Sequence, residues 1–154
     1  MADREFSAAE ETFRAELRAW LATHVPRAAP PDDEEARRDF QREWQRALAG
    51  AGYVAIHWPV EYGGRAAGLN EQIIFSEELA RARSPEILDA VAVNIVGSVL
   101  IAQGTAAQKA QHLPRIRRGD EVWCLGFSEP NAGSDLASLR TEAVRDGDHF
   151  VVTG

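Results

Sequence analysis

Apolar residues recur every three to four positions through residues 1–118, a spacing that predicts a succession of α-helices. Ser7 and Glu10 have the spacing of a capping box, which marks the start of the first helix. An acidic run at 32–35 suits the start of the second helix, because a helix N-terminus favours anionic side chains, and Gly50 ends that helix. The expected inner faces of the two helices are Phe13, Leu17, Trp20 and Leu21, followed by Phe40, Trp44, Ala47 and Leu48.

Proline and paired glycines interrupt the helical period between residues 51 and 69. Proline fixes φ and glycine permits positive φ, so Pro59 and Gly63-Gly64 predict an ordered loop. Asn70 is expected to cap a third helix. The apolar residues of that helix are Ile73, Ile74, Leu79 and Ala80.

The fourth predicted helix, at about 87–103, is apolar on nearly every side and is expected to start after Ser84-Pro85. Because Asp89 is its only charged residue, we expect it to be a central helix buried among the others. It is too short and contains too many polar residues to be a good membrane span. A second capping-box spacing, beginning at Thr105, opens the fifth helix.

After residue 119 the helical period gives way to the pattern of strands. The run 122–127 is continuously apolar and has the length of a strand. Between 139 and 145 apolar and polar residues alternate, which predicts a second strand. The Asp-Gly pair at 146–147 is a hairpin signal, and 149–152 is the predicted return strand.

These elements predict an α+β fold, with an N-terminal all-α helical bundle followed by the first strands of an antiparallel β-domain. The expected domains are residues 1–119 and 120–154. Three strands make a poor sheet with open edges. We therefore expect the sheet to gain further strands from a longer native chain or from a partner.

Composition and charge narrow the function classes. The chain has 154 residues, of which 45% are hydrophobic and 27% charged, as in a globular protein. Its 17 basic and 24 acidic residues give a net charge of −7, which argues against a nucleic-acid-binding protein. Cys124 is the only cysteine, so no disulfide framework is possible. The start lacks the apolar segment of a signal peptide, and a cytoplasmic location is the expectation.

Several catalytic and binding motifs can be set aside. The four histidines are far apart and lack the spacing of metal ligands, so no metal site is predicted. Gly126-Phe127-Ser128 begins like a hydrolase nucleophile elbow, but Pro130 and the loop formers after it replace the helix that such an elbow needs. The P-loop and dinucleotide-binding fingerprints are absent.

The small and polar residues at 128–135 leave two interpretations open. Small residues let backbone N–H groups approach an anion, and Ser128, Asn131 and Ser134 add polar side chains that can donate hydrogen bonds. The segment is either an ordinary connection between strands or a cradle for a cofactor or phosphate.

A resemblance to a known family gives the second interpretation more weight. Residues 125–135 read Leu-Gly-Phe-Ser-Glu-Pro-Asn-Ala-Gly-Ser-Asp and resemble the flavin-binding signature of the acyl-CoA dehydrogenases. Other segments resemble family motifs in the expected order: Trp-Pro-Val-Glu-Tyr-Gly-Gly at 58–64, Glu-Glu-Leu-Ala-Arg at 77–81, Gly-Thr-Ala-Ala-Gln-Lys at 104–109 with Leu113-Pro114, and Phe-Val-Val-Thr-Gly at 150–154. The resemblance covers about residues 7–154.

The resemblance implies an N-terminal helical domain, a middle β-domain and a C-terminal helical bundle, of which this chain covers the first and the start of the second. The family removes the α-proton of an acyl-CoA thioester with a carboxylate and passes the β-hydride to FAD, giving a trans-2-enoyl-CoA. The resemblance further implies that electron-transfer flavoprotein is the electron acceptor and that the protein forms a homo- or hetero-oligomer.

Site residues follow from the same resemblance. The residues expected to bind FAD are Leu125, Gly126, Phe127, Ser128, Gly133 and Ser134. Ser128 falls where a hydroxyl bonds the pyrimidine end of the flavin. Ser134 also falls where the family contacts the CoA portion of the substrate, and Asn94 on the fourth helix is expected near the acyl chain.

Departures from the family pattern matter as well. Asn131 stands where glycine is common, which a left-handed conformation would tolerate, and Leu125 stands where an aromatic residue often sits. The second flavin-contacting segment and the catalytic glutamate of the C-terminal bundle have no counterpart here. Glu61, Glu77, Glu78 and Glu129 do not match that glutamate, and Glu129 is expected to be structural.

No catalytic residue is therefore predicted in this chain, which is not expected to turn over alone. One alternative is a non-catalytic helical subunit that docks onto a complete dehydrogenase. Another is a free-standing anion- or nucleotide-binding module built on residues 128–135.

Overall fold

The computed structural model describes residues 5–154 and divides into two compact units, the first ending at Trp123 and the second comprising Cys124–Gly154. The fold class is the predicted one, α+β with helices first and an antiparallel pair of strands last. The elements are α1 Ala8–His24, α2 Glu34–Gly50, α3 Leu69–Arg81, a π-helical turn Ala92–Val96 that continues into α4 Gly97–Gln103, α5 Ala106–Arg118, β1 Glu142–Asp146 and β2 His149–Thr153. Short 3₁₀ turns lie at Val60–Tyr62 and Leu136–Ser138.

Both predicted capping boxes are confirmed. The Glu10 N–H donates to the Ser7 hydroxyl at 3.3 Å, and the Ser7 N–H donates to the Glu10 carboxylate at 2.6 Å. Thr105 and Gln108 make the same reciprocal pair before α5, at 3.3 and 2.8 Å. These side chains satisfy backbone donors that a helix start otherwise leaves unpaired.

The inner face of α2 differs in part from the prediction. Trp44 and Leu48 are buried as expected, but Ala47 is exposed and Gln45 is fully buried. The Gln45 amide is accommodated because it donates to the Ile116 carbonyl at 2.7 Å and accepts from the Leu88 N–H at 3.0 Å. A buried polar group with both ends bonded is well tolerated, whereas sequence patterning places it outside.

The predicted cap of α3 is wrong. The helix begins at Leu69 with Gly68 as its N-cap, so Asn70 lies inside the first turn. The Glu71 carboxylate accepts from the Gly68 N–H at 2.8 Å, which is the half of a capping box that a glycine N-cap allows. Asn70 instead donates to the Glu10 carboxylate at 2.8 Å, which links α3 to α1.

The fourth helix starts later than predicted and is not buried on all sides. It begins after Asp89, whose carboxylate accepts from the Ala92 N–H at 2.8 Å, while the Ser84 hydroxyl bonds Pro85 and caps nothing. Ala92, Val93 and Gly97 are buried, but Val91, Ile95 and Val99 form an exposed apolar stripe. A helix that is apolar on every side has no strongly polar face. The pattern does not specify which faces are covered by the other helices of the same unit.

The π-helical turn has a specific neighbour. The indole N–H of Trp58 donates to the Val93 carbonyl at 3.0 Å, and the Trp58 ring packs directly on Gly97. Between residues 5 and 154, no helix is long and apolar enough to cross a membrane.

After α5, the predicted first strand is absent. Residues 122–127 have no ladder partner within the described chain, so the apolar run is not a strand. The hairpin is confirmed: Val144 pairs with Val151, and Asp146 pairs with His149 across a two-residue loop. Gly147 opens that loop with φ +61°, a value that glycine adopts without strain.

Candidate functional site

The segment Leu125–Ser128 exposes both side chains and backbone donors. Leu125 is 38% exposed and Phe127 is 74% exposed, although both are apolar. Within residues 5–154, none of the four backbone N–H groups of this segment has a hydrogen-bond acceptor, and neither does the Ser128 hydroxyl. The segment therefore presents apolar surface next to unpaired donors, a combination suited to a flat ring with an electron-rich edge.

A tight turn follows, and it is held by a carboxylate. Glu129 and Ala132 exchange backbone hydrogen bonds at 3.0 and 3.1 Å, and Ala132 is buried. The Glu129 side chain reaches forward to accept from the Arg140 N–H at 3.0 Å and from the Thr141 N–H at 2.7 Å. The Thr141 hydroxyl also donates to it.

These bonds set the electrostatics of Glu129. Hydrogen bonds from the Thr141 hydroxyl and from the Arg140 and Thr141 backbone lower the pKa of this carboxyl, which favours its charged form. A carboxylate held by three donors is a loop brace, in agreement with the structural role expected for Glu129. It also explains why β1 begins at Glu142 and not at Leu139, because the N–H groups of residues 140 and 141 are already taken.

Neither the packing nor the backbone conformation of the chain requires glycine at the two glycine positions of the candidate flavin signature. A Cβ built on Gly126 or on Gly133 would meet nothing within 4 Å, and neither residue has positive φ. Asn131 does not adopt the left-handed conformation suggested for it either. Ser134 lies in the same loop and is exposed.

The remaining candidate residue, Asn94, belongs to the first unit. It lies on the π-helical turn and lines a mostly apolar groove of about 560 Å³ between α3 and the segment that leads into the fourth helix. His57 lines the same groove, and burial lowers the pKa of its imidazole, which favours the neutral form. The other polar or charged residues lining the groove are Tyr53, Gln72, Ser76, Ser84 and Glu86.

The structure thus places the predicted residues on two units. Leu125–Ser128, Gly133 and Ser134 lie on the second unit, and Asn94 lies on the first. Sequence reasoning missed Asp89 and the N–H of Trp123, which are hydrogen-bonded at 2.6 Å just before the candidate flavin segment. The signal was present, because Asp89 is the only charge in a long apolar stretch. Among the described residues there is no cluster of three potential metal ligands.

The sequence matches known proteins over nearly its whole length. The family model described as acyl-CoA dehydrogenase, N-terminal domain, matches residues 7–120. The acyl-CoA dehydrogenase IpdE1 of Mycobacterium tuberculosis is 41% identical over 151 residues, which cover 94% of this chain and 39% of that protein.

Solved structures agree with this relationship. The ChsE4-ChsE5 complex of Mycobacterium tuberculosis superposes with a TM-score of 0.76 at 37% identity, covering 98% of this chain and 38% of that one. The Tcur3481-Tcur3483 steroid ACAD superposes with a TM-score of 0.74 at 42% identity, covering 100% and 40%. The chain therefore spans about two fifths of the length of the curated relatives it matches. The match of the family model to most of the chain, together with these relatives, shows that the chain belongs to the acyl-CoA dehydrogenase family.

Proposed function

We propose that this chain supplies the N-terminal helical domain and the first flavin-contacting segment of an FAD-dependent acyl-CoA dehydrogenase. The reaction is the α,β-dehydrogenation of an acyl-CoA thioester to a trans-2-enoyl-CoA. The proposed division is a helical domain over residues 1–119 and the start of the flavin-binding β-domain over 120–154. The catalytic base would come from outside these residues.

The unpaired donors of Leu125–Ser128 carry this proposal. Bound FAD would supply the acceptor for the hydride from the β-carbon of the substrate. The Ser128 hydroxyl and the neighbouring N–H groups would hold the pyrimidine end of the flavin ring by donating hydrogen bonds to it. The exposed side chains of Leu125 and Phe127 would pack on the ring face. The residues present therefore fit the cofactor.

Gly126 and Gly133 support the same assignment. Since nothing in the chain occupies the space beside them, their small size leaves room for a ligand to approach the backbone. Ser134 would bind the cofactor and the CoA portion of the substrate, because its residue is exposed in the same loop.

The acyl group is proposed to be bulky and ring-containing. A steroid ACAD is 42% identical to this chain. Asn94 and His57 provide polar groups at a groove of about 560 Å³, large enough for part of a fused-ring acyl chain. We place Asn94 among the residues that contact this acyl chain.

The test uses the product of the complete open reading frame that contains this chain. The purified protein is expected to carry flavin, whose visible absorbance bleaches without oxygen when a steroid-type acyl-CoA is added. A straight-chain acyl-CoA of equal carbon number should bleach it more slowly. A protein that holds no flavin, or whose flavin bleaches with neither thioester, would show that the proposed reaction is wrong.

A matched pair of serine variants tests the flavin segment. Ser128→Ala should lower flavin retention several-fold without changing the thermal stability of the flavin-free protein, because the Ser128 hydroxyl has no partner among the described residues. Ser138→Ala is the control, since its hydroxyl bonds Asp135 within a 3₁₀ turn. Equal flavin retention in the two variants would remove Ser128 from the site.

A second candidate function is a non-catalytic subunit that docks onto a complete dehydrogenase. The structures of the ChsE4-ChsE5 complex and the Tcur3481-Tcur3483 ACAD each combine two named proteins, which favours a hetero-oligomer here as well. Co-expression of the tagged chain with neighbouring acyl-CoA dehydrogenase genes tests this, because a docking subunit should co-purify with one of them in fixed ratio. Electron-transfer flavoprotein as acceptor and a cytoplasmic location stay predictions.

A further inference from the structure

The chain is tied to the helical unit at three residues as it leaves α5. Asp120 accepts from the Arg46 guanidinium at 2.9 Å, and Glu121 accepts from the Arg115 guanidinium at 3.0 Å. The Trp123 N–H then donates to a carboxylate, and the Trp123 ring lies edge-on to an imidazole at 5.2 Å. These tethers fix the path of the backbone up to the last residue of the first unit.

The carboxylate that binds Trp123 is Asp89, and both of its oxygens are used. Oδ2 accepts from the Trp123 N–H at 2.6 Å, and Oδ1 accepts from the Ala92 N–H at 2.8 Å. Asp89 is only 7% exposed. Hydrogen bonds to a charged acceptor in a water-poor site are stronger than neutral ones, so this side chain both caps a helix and holds a remote backbone position.

Asp89 is itself held in place. The N–H of the preceding residue, Leu88, donates to the side-chain oxygen of Gln45 at 3.0 Å. The amide nitrogen of Gln45 donates to the Ile116 carbonyl at 2.7 Å, so this fully buried side chain connects α2, α5 and the start of the fourth helix. Because the neighbouring residue Leu88 is hydrogen-bonded to the buried Gln45, Asp89 has a fixed position from which it can hold the Trp123 backbone.

The anchoring stops at Trp123. Within residues 5–154, the backbone N–H groups of 124–128 have no acceptor, and this stretch contains the proposed flavin-contacting segment. We propose that Asp89 is a positioning residue for that segment, because it fixes the last backbone position from which Leu125–Ser128 extend. This inference rests on the proposed function, and it assigns to Asp89 a task beyond capping the fourth helix.

Serine substitution separates the two tasks of Asp89. Serine is a good N-cap, so Asp89→Ser retains the bond to Ala92 but has no second oxygen to reach Trp123. Asp33→Ser is the matched control, since Asp33 caps α2 by accepting from the Ala36 N–H at 2.9 Å and makes no remote bond. Both variants are made in the product of the complete open reading frame.

The first measurement is amide hydrogen exchange over residues 123–128. Exchange of the Trp123 amide is expected to be about tenfold faster or more in Asp89→Ser and unchanged in Asp33→Ser. The second measurement is the visible circular dichroism and retention of the bound flavin, which a purely structural cap would not alter. We expect a changed flavin spectrum and several-fold weaker retention only in Asp89→Ser.

The inference is overturned if Asp89→Ser accelerates exchange equally throughout the helical unit, or if its flavin spectrum and retention equal those of the wild type. If Asp89→Ser does not fold, Asp89→Asn, which is nearly isosteric and keeps one acceptor oxygen, is judged by the same two readouts. If the wild-type protein holds no flavin, the proposed function fails. The anchoring by Asp89 is then decided by exchange alone, and it is upheld only if the faster exchange is confined to the Trp123 amide.

Discussion

Replacing Gly97 by alanine should destabilise the helical unit through one contact. A Cβ at this position would lie 1.9 Å from Cζ2 and 2.7 Å from Cη2 of the Trp58 ring. Trp58 is 1% exposed, and its indole N–H is bonded to the Val93 carbonyl, so the ring has no space to retreat. The added methyl group must therefore displace the π-helical turn or break that hydrogen bond.

The magnitude follows from two opposing terms. Overpacking a tight core costs about 1–3 kcal/mol, and a contact this short belongs at the upper end or beyond. Alanine in place of glycine in a helix gives back about 1 kcal/mol. The expected net loss for Gly97→Ala is about 2 kcal/mol, which for a chain of this size lowers the melting temperature by roughly 4–8 °C.

Gly50→Ala is the matched control. Gly50 is also a helical glycine, and a Cβ there would meet nothing within 4 Å. This variant keeps the propensity gain without the clash and should be neutral or more stable by up to about 1 kcal/mol. Thermal unfolding followed by circular dichroism measures both variants against the wild type.

A double-mutant cycle identifies the responsible contact. Trp58→Phe removes the part of the ring that Gly97 faces, so Gly97→Ala should cost at least about 1 kcal/mol less in that background. The packing of Trp58 on Gly97 is refuted if Gly97→Ala melts at or above the wild-type temperature. It is also refuted if the Trp58→Phe background leaves the cost of Gly97→Ala unchanged.

Glu78→Gln should lower the free energy of unfolding by about 1–3 kcal/mol, because the carboxylate is 2% exposed and binds the half-exposed Arg18 guanidinium. Glu77→Gln is the control and should change it by less than about 0.5 kcal/mol, because Glu77 is exposed. The hydrogen bond from Arg18 lowers the pKa of Glu78, so this stability is present above the ordinary carboxyl pKa and is lost as the pH falls through the lowered value. Urea unfolding at a series of pH values should show the loss. If the destabilisation caused by Glu78→Gln does not shrink in acid, the ion pair is contradicted. Glu129→Gln should speed amide exchange at residues 140 and 141 and nowhere else in the second unit, since the neutral amide loses the charge-assisted bonds to those N–H groups. Thr105→Ala removes the cap of α5 and should cost about 0.5–2 kcal/mol in chemical denaturation, and no measurable loss would show that the capping box is redundant.

The helices could be predicted well wherever their start depends on neighbouring residues. Ser7 and Thr105 cap helices through bonds three residues away, so the sequence pattern contains the whole interaction. Asn70 misled because asparagine is a favoured N-cap residue, whereas the helix starts two residues earlier, with Gly68 as N-cap and its N–H donating to the Glu71 carboxylate. Local chemistry names the candidates for a cap, but the geometry of the turn chooses among them.

Interactions between distant residues could not be predicted. Gln45 and Asp89 look like a surface amide and an isolated charge in the sequence, yet both are buried because their partners lie 71 and 34 residues away along the chain. The candidate site residues on the second unit came from resemblance to a family motif, since an exposed loop leaves no periodic pattern to read. Periodicity describes one element at a time, whereas a buried polar residue is defined by the other elements that it meets.

The failed strand prediction and the proposed flavin segment have the same physical origin. Residues 122–127 are apolar enough for a buried strand, but a strand is stable only when a neighbour takes up its backbone donors, and no described segment pairs with it. Had a ladder formed there, it would have consumed the N–H groups that Leu125–Ser128 now leave unpaired. A segment that exposes apolar side chains and leaves its backbone donors unpaired is costly, and it is retained where a ligand or another segment covers it. An apolar run that resembles a strand but pairs with nothing therefore favours a binding surface, and the flavin content of Ser128→Ala is the direct measure of whether this one binds the ring.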